Sequence, residues 1–174
     1  MDIGGYMLEE LKKYIKENLI VEKKEKKLPF FGAMAKNAAF REELCDYECA
    51  SSNISDFINT NKDLNNFQTL LFKYIDDRGL KDSDVYNKVH IDRRLFSKIR
   101  SDINYHPSKD TVLLLGLSLE LNESEIERLL ESASYSLPKN NHYDLIIRFC
   151  FINKIYDVMK VNELLDSYKC KVFE

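Results

Sequence analysis

Four cations crowd the segment IDRRLFSKIRS, residues 91–101: Arg93, Arg94, Lys98 and Arg100. Residues 81–100 hold six bases (Lys81, Lys88, Arg93, Arg94, Lys98, Arg100) and three acids (Asp82, Asp84, Asp92), a local net charge of +3. The whole chain carries -3, so the other 154 residues carry -6 and any basic footprint is local. Arginine near the start of an exposed helix suits the major groove of DNA, where its fork can hydrogen-bond guanine O6 and N7. Lysines and further arginines would neutralise phosphates; three or four such contacts give a log–log salt slope near about -3. The competing reading is a solvated helix face, or one that meets an acidic protein.

Other chemistry finds little support. Cys45 and Cys49 lie one helical turn apart, but the spacing is not that of a zinc knuckle, and His90, His106 and His142 are scattered. No metal or cofactor is expected. The four cysteines (45, 49, 150, 170) form no CxxC pair, and reduced thiols in a cytoplasmic protein are the default. There is no GxSxG, HExxH, phosphate-cradling glycine loop or dinucleotide fingerprint. Asp46 and Glu48 are paired carboxylates in sequence alone, and such near neighbours do not face each other on a helix. The chain is expected not to be an enzyme.

The elements that position the cations follow from composition and periodicity. Of 174 residues 44% are hydrophobic, enough for a core, while five Gly and three Pro are too few for the turns of an all-β sandwich. An all-α fold is expected. No run approaches the ~18 apolar residues of a membrane span, and the acidic N-terminus lacks the apolar block of a signal peptide. Leu8, Leu11, Ile15 and Leu19 predict a helix over 5–19, followed by the charged linker VEKKEKK at 21–27 and an apolar turn, LPFFGAMAK, at 28–36. That turn either folds back on its own domain or docks a partner. Residues 41–60 suggest two short helices in a stretch, 41–64, of local charge -4. Phe67, Leu70, Leu71, Tyr74 and Ile75 form the next stripe, with Gly79 as its C-terminal cap.

Four helix starts then share the hydrophobic staple, an apolar pair bracketing the N-cap: Leu80/Val85, Ile91/Phe96, Leu121/Ile126 and, more weakly, Pro107/Val112. They place helices near 82, 93, 109 and 123, capped by Asp92, Ser108 and Asn122, with Lys81 a poor cap for which Asp82 is the alternative. The run VLLLGLSL at 112–119 is expected to be a buried helix rather than a strand, and further helices are expected around 143–153 and 161–169. The helices at 82 and 93 are too closely joined to be anything but short and steeply crossed, the geometry of a helix-turn-helix. Val85, Val89, Ile91, Leu95, Phe96 and Ile99 face inward, leaving Arg93, Arg94, Ser97, Lys98 and Arg100 outward.

Residues 80–130, from Leu80 and Val85 through Ile91, Ser97-Lys98-Ile99 and His106-Pro107-Ser108 to Leu121-Asn122, resemble the helix-turn-helix domain of the phage-repressor/Cro (Xre-type) family. The resemblance makes Phe67–Arg78 the family's first helix and implies a lambda-repressor-like bundle. It also implies that Arg93, Arg94 and Ser97 face base edges, with Lys98 and His106 nearer phosphates. Residues from about 67 to 173 further resemble a bacterial module found alone or behind other domains, a match that carries no activity. The chain departs from the family at Tyr86, where a small residue is usual, and at His90, where glycine is usual and φ must be positive or the turn reshaped. Asp82 and Asp84 stand where the family offers phosphate a polar side chain, and SDINYHP is longer than the usual connection.

The organisation expected is an N-terminal helical arm, 1–64, and a helix-turn-helix module with extra C-terminal helices, 65–174. The leading expectation is a non-enzymatic DNA-binding protein, a transcriptional regulator in which Arg93, Arg94 and Ser97 read bases and Lys88, Lys98, Arg100 and His106 meet phosphates. Its partners would be double-stranded DNA and, on paired half-sites, a second copy in a homodimer; no membrane is expected. The alternative is a protein–protein adaptor in a bacterial defence or stress operon, docking through residues 1–40, or an antitoxin-like inhibitor.

Overall fold

Among the residues that the computed structural model describes, 3–20 and 66–173, there are eight helices and no strand. They are α1 (Ile3–Asn18), α2 (Phe67–Asp77), α3 (Asp82–Lys88), α4 (Arg93–Ser101), α5 (Lys109–Ser118), α6 (Glu123–Ser132), α7 (His142–Ile152) and α8 (Val158–Ser167). The all-α expectation holds. The linker at 21–27, the turn at 28–36, the helices suggested within 41–60, Cys45, Cys49, Asp46, Glu48 and most of the docking segment 1–40 lie outside the described residues.

Local side-chain chemistry sets the helix starts. The carboxylate of Asp92 accepts from Arg94 N–H at 2.6 Å, and the Ser108 hydroxyl accepts from Thr111 N–H at 3.2 Å. Asn122 and Glu125 close a reciprocal capping box at 3.0 and 2.9 Å. Lys81 caps α3 without a side-chain bond. Asp82 does not take over that role: it is the first residue of the helix, and its carboxylate accepts from Arg100 at 2.6 Å. The last helix begins at Val158 rather than near 161 because Asp157 accepts from the N–H groups of Met159 and Lys160.

Six helix ends share one device. After α2, α3, α5, α6, α7 and α8 the chain turns through a left-handed residue, and two backbone N–H groups bond back into the last turn. Gly79 (φ 62) supplies that residue once; His90, Glu120, Ser134, Lys154 and Lys169 adopt φ of 52–60 despite having a Cβ. Such a conformation costs a non-glycine residue about 1 kcal/mol or more. Lys154→Gly is therefore expected to stabilise the fold by about 1 kcal/mol, raising Tm by roughly 2–4 °C in thermal unfolding.

The core is built around α5, whose Val112, Leu113, Leu115 and Leu117 are all buried. A helix apolar on nearly every side must be surrounded, and α5 packs against α3 and α6. Ser118 Oγ donates to Val85 O at 2.6 Å, which ties α5 to α3. A Cβ at Gly116 would overlap the tip of Ile126 and press on Phe151, so glycine permits this close approach. Gly116→Val is expected to cost about 1–3 kcal/mol by overpacking, read from the midpoint of urea unfolding. At the N-terminus, α1 packs on α7, with Leu11 and Ile15 buried and the Tyr14 ring 5.5 Å from that of Phe149. The helix expected in the arm thus belongs to the same unit as residues 66–173.

Candidate nucleic-acid interface

The short helices α3 and α4 pack on one another across the turn 89–92. Val85, Val89, Ile91, Phe96 and Ile99 are buried beneath them, and Leu95 is half-buried. His90 makes the turn at φ 55, so of the two expected alternatives the left-handed one is adopted. Ile91 N–H bonds Tyr86 O at 2.9 Å and closes the corner. The far end of α4 is held by α2: the Gln68 side-chain amide donates to the carbonyls of Ile99, at 3.0 Å, and of Arg100. Those carbonyls have no partner within the helix, so Gln68 both caps α4 and fixes its position.

With the apolar side down, Arg93, Arg94, Ser97, Lys98 and Arg100 are all exposed. Helical spacing sorts them into two rows. Arg93, Ser97 and Arg100 line the cleft toward α3. Arg94 and Lys98 form the other row, and Lys98 Nζ lies 4.8 Å from the centre of the Tyr105 ring. Among the described residues no carboxylate pairs with Arg93, Arg94 or Lys98.

The other two cations are engaged. Lys88 Nζ meets Glu120 Oε1 at 2.5 Å and Ser118 O at 3.1 Å. Arg100 pairs with Asp82 at 2.6 Å while its guanidinium lies 4.1 Å above the centre of the Phe72 ring. The side chains are 44% and 58% exposed in the first pair, 52% and 35% in the second. Ion pairs this wet contribute up to about 1 kcal/mol, so neither keeps its cation from a phosphate. His106 is exposed beside Tyr135, its Nδ1 3.4 Å from the phenol oxygen, and stands after the turn 102–105 rather than on α4. Of the seven residues expected at the interface, four of the five on α4 lie open to solvent without an ion pair among the described residues; Lys88 and Arg100 carry ion pairs, and His106 sits to one side.

Three contributors escape sequence reasoning: Gln68 as a cap, Phe72 beneath Arg100 and Tyr105 beneath Lys98. They lie on other elements, and no periodicity links them to α4. Among the described residues no group of three His, Cys, Asp or Glu side chains could hold a metal ion. Cys150 is buried, which pushes its thiol up to about 12 and leaves it protonated and unreactive. No described helix is long and apolar enough to cross a membrane. Comparison with protein-family models, curated proteins and solved structures finds no match to this chain.

Proposed function

We propose that α3 and α4 form a DNA-binding helix-turn-helix of the repressor/Cro type and that the chain is a non-enzymatic regulator of transcription. The observation that carries this reading is the outward face of α4, where Arg93 and Arg94 are exposed and meet no carboxylate among the described residues. A pair of unneutralised guanidiniums on a rigidly held helix is what base-edge recognition needs. In this reading Arg93, Arg94 and Ser97 are offered to bases, while Lys98, Lys88 and Arg100 meet phosphates and His106 stands near the backbone. Weak binding by one short helix makes a homodimer on paired half-sites the functional unit.

The test is selection from a random duplex pool, followed by affinity measurements at two salt concentrations. The expected consensus contains guanine, and about three phosphate contacts per chain give a log–log slope near -2.7. A chain that ignores duplex DNA at low salt would contradict the reading. A second reading draws on Lys88–Glu120 and Arg100–Asp82, which leave fewer unpaired cations on this face: a protein adaptor whose fold does not bind DNA, favoured if the chain ignores duplex DNA yet retains a protein partner through purification.

A further inference from the structure

Between α3 and α4 lies an open cleft of about 340 Å³ lined by Asp82, Ser83, Tyr86, Arg93, Ser97 and Arg100, with the Phe96 ring among its walls. Tyr86 is half-buried, its ring centre 5.5 Å from that of Phe96, so its bulk occupies the space between the two helices.

Half of the polar residues lining this cleft are uncommitted. The Arg93 guanidinium, the Ser97 hydroxyl and the Tyr86 phenol make no hydrogen bond or ion pair among the described residues. Arg100 is held from two sides, by Asp82 through one terminal nitrogen and by the face of Phe72. That clamp leaves its remaining N–H groups without a hydrogen-bond partner among the described residues. Ser83 is turned to Asp84 at 3.3 Å. The lining thus gathers two guanidiniums, a hydroxyl and a phenol as donors, against one carboxylate whose charge Arg100 already answers. Two cations and one anion leave one net positive charge, the complement of a singly charged phosphodiester rather than of a doubly charged phosphate monoester. Planar arginine forks suit phosphate oxygens, and a guanidinium held beforehand loses little freedom on binding.

We propose that the α3–α4 cleft is a seat for one phosphodiester group, clamped by Arg93 and Arg100 with Tyr86 and Ser97 as neutral donors. The group can come from a nucleic-acid backbone or from a small free phosphodiester. The backbone case rests on the DNA-binding reading and refines it: Arg93 and Ser97 serve the phosphate, and the base edges are left to Arg94.

The experiment has two arms, both on the full chain. In the first, the isotopically labelled protein is titrated with dimethyl phosphate in the millimolar range while amide resonances are followed. Shifts confined to residues 82–86 and 93–100, lost in Arg93→Gln and partly kept in Arg93→Lys, are expected. Absence of these shifts overturns the seat whether or not the chain binds DNA. Their presence in a chain that binds no duplex supports a seat for a free phosphodiester while the DNA reading falls. In the second arm, Tyr86→Phe is expected to weaken binding to preferred and random duplexes alike, by about fivefold, as a lost neutral hydrogen bond should. Arg93→Gln should likewise act on all sequences equally. A change of base preference in Arg93→Gln, or unaltered affinity in Tyr86→Phe, overturns the backbone assignment and leaves DNA binding standing.

Discussion

Replacing Arg93 and Arg94 together by alanine is expected to lower affinity for a preferred duplex by about 30-fold or more and to erase base preference. A good guanidinium contact to a base edge is worth about 1–3 kcal/mol and a hydrogen bond to a charged phosphate about 1.5–3 kcal/mol, so losing Arg94 from the base and Arg93 from the phosphate gives that factor. Both side chains are exposed and make no hydrogen bond or ion pair among the described residues, so the double variant should unfold within about 0.5 kcal/mol of the parent. That separation matters, because a variant that loses binding while keeping its unfolding midpoint has lost recognition rather than structure. Lys98→Ala offers the contrast. It should weaken all duplexes alike and flatten the salt dependence by about one unit.

The second large effect lies far from α4. Asp144, on α7, is 5% exposed and accepts from Lys109 Nζ at 2.5 Å, from its own N-cap Asn141 at 2.6 Å, and from no other described side chain. Lys109→Met leaves that carboxylate buried without its cation. A broken buried pair costs about 3–5 kcal/mol; Lys109 itself is 26% exposed, so the lower end, about 3 kcal/mol, is expected. Thermal unfolding should report a fall in Tm of roughly 6–12 °C for a chain of this size. Lys88→Met breaks a comparable contact on the surface and should change stability by under about 1 kcal/mol. Equal effects from the two lysines would mean that burial does not govern the strength of these pairs.

Much of the framework was legible because its signals are local. Asp92, Ser108 and Asn122 announce helices within three residues of themselves, and the staples Ile91/Phe96 and Leu121/Ile126 are buried pairs in the fold. VLLLGLSL is helical despite its strand-like composition, since Ser108 caps it and other helices enclose it. For His90 a left-handed turn was one of two alternatives raised by the resemblance alone, and Glu120, Ser134, Lys154 and Lys169 gave no such sign. A paired backbone turn can hold any of these residues there, so residue type alone does not reveal it.

The candidate interface was legible in part. Apolar spacing was enough to put Arg93, Arg94, Ser97 and Lys98 on the outer face. The partners of Lys88 and Arg100 were not readable, because Glu120 is 32 residues from Lys88 and Asp82 is 18 from Arg100. Pairing over such separations is decided by how helices pack. The same holds for α1, whose amphipathic stripe predicts a helix but not that Leu11 and Ile15 would be covered by contact with α7.

Contact with DNA is proposed for the outer face of α4. It is tested most directly by following backbone amide and arginine Nε resonances of the labelled full chain during titration with a selected duplex. The account predicts that residues 93–98 respond first and most strongly, with the Arg94 Nε signal shifting at the lowest duplex concentrations. If those signals stay in place while another face moves, or if nothing moves at low salt, α4 is not a recognition helix.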